Sequence, residues 1–233
     1  LYTTRTFASV DPVELVAYAV LGVAIAPIGV GFLRLLSRAE GWWKHLPMPA
    51  RPALGGALCG VFLCFVPAVA GNGFEEVTSI LDGKLVLGTV ALLLVMKPLA
   101  TAASVGSGNP GGVFTPTLLL GACVGLVYAA GLHALFGDVI AAPGGYALVG
   151  LATALATTTH APLMSALLAC ELSGDFAMIL PLLISCAIGA GVARRLYIDS
   201  VYTAELTRRG LRWRLTLDGR RVIESQQNAT DVV

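Results

Sequence analysis

The chain has 233 residues, 56% of them hydrophobic and 12% charged, with a formal net charge of +1. Mean hydropathy is +0.81. Soluble domains carry about 25% charged residues, and a soluble chain this apolar would expose patches that drive association. Composition therefore excludes the soluble globular class. No basic patch lies outside the flanks of the apolar runs, so no nucleic-acid partner is expected.

Apolar segments run at 13–36, 51–70, 85–104, 113–136, 145–170 and 176–198. Most reach the roughly 20 residues that a membrane-spanning helix needs. Pro27 in the first and Pro67 in the second mark kinks or breaks. The third carries Lys97 and Pro98 near its middle. A lipid-facing helix would avoid that lysine, so it is expected to face protein or water, or to snorkel. The fifth breaks around Thr157-Thr158-Thr159-His160-Ala161-Pro162 and is read as two shorter helices. His160 is expected to be a turn residue at an aqueous surface. Small-residue clusters at Gly55-Gly56-Ala57, Gly121-Ala122 and Gly189-Ala190-Gly191 suit close helix packing in lipid.

Charge sets the orientation. Arg34, Arg38, Lys44 and Arg51 flank the first loop, and eight more basic residues lie between Arg194 and Arg221. The loop at 71–82 carries Glu75, Glu76 and Asp82, and the one at 137–144 carries Asp138. The positive-inside rule places 37–50 and the C-terminus in the cytoplasm and the two acidic loops outside. The polar segment 211–233 reads as a cytoplasmic tail or linker, where the sequon Asn228-Ala229-Thr230 would be inert. No signal peptide is visible after Leu1, which reads as a fragment of a longer chain.

The spans hold no HExxH, no GxSxG and no paired carboxylates, so the reading is not an enzyme and no catalytic residue is assigned. Cys59, Cys64, Cys123, Cys170 and Cys186 form no CxxC pair and sit in apolar runs. They are expected to be buried thiols acting as small hydrophobes, with no metal site and no cofactor.

The informative interruption is Gly106-Ser107-Gly108-Asn109-Pro110-Gly111-Gly112-Val113-Phe114-Thr115-Pro116. Irregular glycine-rich backbone at membrane depth is tolerated only where protein buries it or it lines an aqueous cavity. Its glycines free the chain for close approach and for positive φ. A β-branched residue at Gly112 is expected to be harmful if the backbone there uses φ above zero. Thr115, Pro116 and an apolar run then read as the first turn of a helix starting near residue 114. A helix start presents unpaired N–H groups and the positive end of the dipole. A broken helix aimed at the midplane therefore points to an anion pathway.

Four collinear motifs resemble the C-terminal half of the CLC family of chloride channels and chloride/proton antiporters. Gly112-Val113-Phe114-Thr115-Pro116 matches its GxFxP motif, with a lead-in at Gly111. Gly71-Asn72-Gly73 with its acidic pair, Ala161-Pro162-Leu163 with Glu171, and Asp199-Ser200-Val201-Tyr202 followed by Leu206-Thr207-Arg208-Arg209-Gly210 match in order. The resemblance covers about residues 10 to 210, so residues 1–210 are expected to form one half of an all-α, inverted-repeat membrane fold with helices of unequal length.

The resemblance implies that the Val113 and Phe114 N–H groups hold a central chloride. It also implies that the Tyr202 hydroxyl points at the same ion, with Gly111, Gly112, Thr115 and Pro116 supporting the motif. Tyr197 competes with Tyr202 as an interfacial residue. Glu171 is expected to be a surface or packing carboxylate. The family's gating-glutamate motif GREGP is absent from this sequence. Ser107 imitates the selectivity serine but sits in the connector, so it is not assigned that role. Chloride or a similar small anion, membrane lipid, the other half of the polypeptide and a second copy in a homodimer are the implied partners, in an inner or plasma membrane. The helices around 163–190, with Ala166, Ala169, Ile184, Ala187 and Ile188, are expected to form part of the dimer face. A non-conducting scaffold and a different secondary transporter with a discontinuous helix are the rival readings.

Overall fold

The computed structural model describes residues 12–137, 142–208, 211–215 and 221–225. The sequon at Asn228 and the side chains of the Arg208-Arg209 pair lie outside what it describes. Nine helices occur among the described residues, in the order α1 Pro12–Trp43, α2 Ala50–Phe65, α3 Phe74–Leu81, α4 Leu87–Gly106, α5 Phe114–Phe136, α6 Pro143–Thr159, α7 Pro162–Ser173, α8 Ile179–Leu196 and α9 Thr203–Arg208. Four stretches, Glu14–Trp43, Leu87–Gly106, Phe114–Phe136 and Phe176–Leu196, are long and apolar enough to cross a membrane. The helical bundle is followed by one antiparallel hairpin, Leu211–Leu215 with Arg221–Ser225, in the segment read as a tail.

The centre of the bundle is α6. Every residue from Gly144 to Thr159 is buried, as expected of a helix that is apolar all round and enclosed by protein. At a rise of about 1.5 Å per residue it is too short to span comfortably, so neighbours must enclose it. It packs on α5, α8, α7 and α1. The contact with α5 is backbone to backbone: a Cβ on Gly121 would collide with the Gly150 carbonyl, and one on Gly125 with the Tyr146 carbonyl. The small-residue reading thus holds at Gly121, and at Gly189, where a Cβ would press on Thr153. It fails at Gly56 and Gly191, which meet open space.

Pro67 ends α2 and opens a single 3-10 turn, Pro67–Val69, whereas Pro27 and Pro98 sit inside α1 and α4 without ending them. The acidic loop at 71–82 contains α3, whose Val77, Ile80 and Leu81 are buried. His160 closes α6 in the left-handed region at φ 59°. Its carbonyl accepts a bond from Arg194 at 2.6 Å. Arg34 likewise donates to the carbonyl of Leu196 at 3.1 Å, at the end of α8. Arg34 and Arg194, two of the basic residues flanking the apolar runs, therefore satisfy helix-terminal carbonyls.

Two of the five residues named for the expected dimer face are corrected. Ala166 and Ala169 are fully buried within the chain, because they face the neighbouring helices rather than outward. Ala187 is exposed and Ile184 and Ile188 are half-buried, and the large outward apolar side chains of this region include Leu163, Met164, Leu167, Phe176 and Leu180. Glu171 is exposed near the end of α7, as a surface carboxylate.

Candidate anion-binding site

Helix α5 begins at Phe114, and Val113 precedes it at φ −103°, ψ −12°. Helical dihedrals at Val113 align its N–H with those of the first turn, all directed back along the axis. The first bond of the helix runs from the Thr117 N–H to the Val113 carbonyl at 3.2 Å, and the Thr117 hydroxyl reaches the same oxygen at 2.7 Å. Among the described residues no acceptor meets the N–H of Val113, Phe114 or Thr115. Pro116 has no N–H to offer, so its place in the first turn leaves no further donor unsatisfied. The sequence therefore builds a cluster of open donors at the positive end of a 23-residue helix.

The approach to this helix start is held by side chains. Ser107 is 2% exposed. Its hydroxyl donates to the Ser104 carbonyl at 2.8 Å and accepts from the Asn109 amide at 3.2 Å. Asn109 also donates to the Pro52 carbonyl at 3.1 Å, tying the connector to the start of α2. Ser107 is thus occupied in positioning the connector. Gly108 takes φ +89°, in the region that favours glycine. Gly112 does not take positive φ. The expectation attached to it is corrected: the tight turn falls at Gly108, four residues earlier, and Gly112 is exposed in open space.

Two cavities flank Gly111. The smaller, of about 250 Å³, lies between α1 and the segment leading into α9, and Val113, Val201 and Ala204 line it. The larger, of about 400 Å³, lies between α2, α4 and the start of α5, with Gly112, Thr115 and Pro116 in its wall. The structure thus brings the α5 start and the 201–204 segment to one cavity. The Val201 N–H donates to the Thr158 carbonyl at 2.8 Å, which fixes that segment on the end of α6. Ser200 and Thr203 cap α9 reciprocally, each hydroxyl accepting the other's N–H at 3.2 and 2.8 Å.

Tyr202 sits inside this capping turn, 59% exposed. It follows a cavity-lining residue without lining the cavity itself. Tyr197 differs: it is half-buried and packs against Ala26, Val30 and Ala193. Of the two tyrosines, Tyr197 is committed to the core and Tyr202 is not.

Sequence reasoning missed the surroundings of Lys97. That lysine is 3% exposed, faces protein as expected, and lines the larger cavity. Its ammonium caps the carbonyls of Val69 at 2.8 Å, Gly71 at 2.9 Å and Ala70 at 3.4 Å. The mid-span charge was visible in the sequence, but partners 26 to 28 residues away were not. No group of His, Cys, Asp and Glu able to hold a metal occurs among the described residues.

The chain is similar to known proteins along most of its length. Residues 1–194 match the family model described as voltage gated chloride channel. A ClcB-like chloride channel protein of Ralstonia nicotianae is 43% identical over 210 residues, covering 89% of this chain and 49% of that protein. The voltage-gated ClC-type chloride channel ClcB of Escherichia coli is 37% identical over 204 residues, covering 87% and 49%. The crystal structure of a slow cyanobacterial Cl−/H+ antiporter superposes with a TM-score of 0.79 at 28% identity, over 89% of this chain and 49% of that one. A eukaryotic CLC transporter gives 0.68 at 27% identity, over 87% and 36%. The chain spans about half the length of the curated relatives it matches. With the family model covering most of its residues and its apolar helices arranged as in those structures, the chain belongs to the voltage gated chloride channel family of integral membrane proteins.

Proposed function

We propose that these residues form one half of an anion transport protein that carries chloride, or a similar small anion, through a membrane. The observation that carries this reading is the start of α5, where the Val113 and Phe114 N–H groups have no acceptor among the described residues and Val113 lines a cavity. Neutral donors at the end of a helix dipole bind a weakly basic anion without a full countercharge, so the ion can leave again. The Tyr202 hydroxyl is kept as the third donor on the strength of the family resemblance; its neighbour Val201 lines the cavity with Val113, while Tyr202 itself is exposed beside it. The names of the relatives, chloride channel proteins and a Cl−/H+ antiporter, point the same way. Chloride is then substrate rather than cofactor, and no bond is made or broken in the transported ion.

The whole protein is read as a homodimer in the inner or plasma membrane with its C-terminus cytoplasmic, and the exposed Leu163, Met164, Leu167 and Leu180 supply part of the contact. The test is chloride efflux from liposomes holding the complete gene product. Efflux above that of empty vesicles, with saturable chloride binding by calorimetry, is the expected result. Neither efflux nor binding would favour a non-conducting scaffold. Flux of another solute without chloride binding would favour a different transporter.

A further inference from the structure

Lys97 lies in the middle of α4, inside the bundle, with its three N–H groups spent on three carbonyls. Carbonyl dipoles satisfy an ammonium's donors without neutralising its charge. Among the described residues no carboxylate forms an ion pair with Lys97. The half-buried Glu76, on α3, is the acidic side chain whose charge reaches it. Taking an ammonium out of water costs several kcal/mol. A neutral amide donor would make much of the same clamp on the 69–71 turn with a smaller penalty, so the clamp alone does not account for the charge.

The position of the charge accounts for it. Lys97 shares the wall of the larger cavity with Gly111, Gly112 and Thr115, the approach to the open donors of α5. Charges act over longer distances in a low-dielectric interior than in water. We propose that Lys97 is a fixed field charge of the anion pathway, which holds this cavity at positive potential and raises anion occupancy at the α5 start without touching the ion. The carbonyl clamp has a second consequence: with no N–H left to donate, the ammonium cannot grip the anion and slow its release. Lys97 is a positioning residue in this scheme, and the inference rests on the anion-transport reading.

The experiment uses the complete gene product, purified and reconstituted, and measures chloride affinity by calorimetry, chloride efflux and the thermal unfolding midpoint. Lys97→Arg keeps the charge and is expected to bind chloride close to the wild-type affinity. Lys97→Gln keeps donors but loses the charge, and is expected to weaken chloride binding roughly tenfold, the size of effect a unit charge has across a cavity at an effective dielectric of about 20. Ser104, in the same cavity wall, gives a second route that leaves the carbonyl clamp alone. Ser104→Asp is expected to bind chloride about tenfold more weakly than Ser104→Asn. A folded Lys97→Gln protein with wild-type chloride affinity overturns the inference. If that variant does not fold, equal affinities in the two Ser104 variants overturn it. Wild-type protein that neither binds nor transports chloride overturns the anion-transport reading itself, and this inference with it.

Discussion

Ser107 lies against Gly55 so closely that a Cβ on the glycine would collide with the serine side chain. This contact joins α2 to the connector that delivers the chain to the start of α5, and Asn109 completes it with its bond to Pro52. Gly55→Ala should therefore push Ser107 off the Ser104 carbonyl and lower stability by about 1–3 kcal/mol, the usual cost of overpacking. Gly56→Ala, one residue on and facing open space, should be neutral or slightly stabilising. Thermal unfolding in detergent checks the pair, and equal shifts would mean that the contact does not form.

Removing one donor at the head of α5 tests the anion site directly. An amide-to-ester replacement at Phe114 deletes the N–H and keeps the side chain. Hydrogen bonds to charged groups are worth about 1.5–3 kcal/mol. Chloride affinity of the complete protein should therefore fall by roughly ten- to a hundredfold, with a smaller loss of stability because the Val113 carbonyl that accepts from Thr117 becomes a weaker ester acceptor. An unchanged affinity would remove the Phe114 amide from the site.

Tyr202 and Tyr197 should separate cleanly. Tyr202→Phe is expected to weaken chloride binding modestly, by about 0.5–1.5 kcal/mol, the net worth of one neutral hydrogen bond. Tyr197→Ala, which empties a packed position beside Ala26 and Val30, should instead lower stability and leave the affinity of the folded fraction alone. Calorimetry together with thermal unfolding reads both, and an affinity loss confined to the Tyr197 variant would reverse the assignment.

The glycines of the connector should differ among themselves. Gly108 holds φ +89°, so Gly108→Val should destabilise by at least about 1 kcal/mol. Gly112→Ala has neither positive φ nor a neighbour to strike and should fold normally. Yield and unfolding midpoint decide, and a Gly112 variant as damaged as the Gly108 one would contradict the observed backbone.

Residues 1–233 by themselves are expected to form no selective anion pathway. They supply one wall of donors, and the head of α5 leaves Gly111 and Gly112 exposed. A partly solvated ion on one helix end costs several kcal/mol even after relaxation, which a few neutral hydrogen bonds do not offset. Liposomes holding only this chain should release chloride no faster than empty vesicles. Selective efflux from them would overturn the two-half reading.

Much of this was legible in the sequence because it depends on neighbours along the chain. The start of α5 near residue 114 follows from the glycine-rich lead and Pro116. The break at His160 follows from the Thr-rich run and Pro162, and the membrane spans follow from apolar length alone. Helix α3 was not legible, because eight residues with two glutamates in the first turn look like a polar loop until Val77, Ile80 and Leu81 find a core to enter. Tertiary structure alone decided which partners the buried polar groups meet. The Lys97 ammonium is held by carbonyls from a turn some 27 residues away, Ser107 fits because Gly55 stands opposite, and Val201 is fixed by Thr158. Those pairings depend on how helices far apart in sequence stack against one another, and hydrophobic periodicity, which reports only whether a residue is inside, does not specify the partner it meets there.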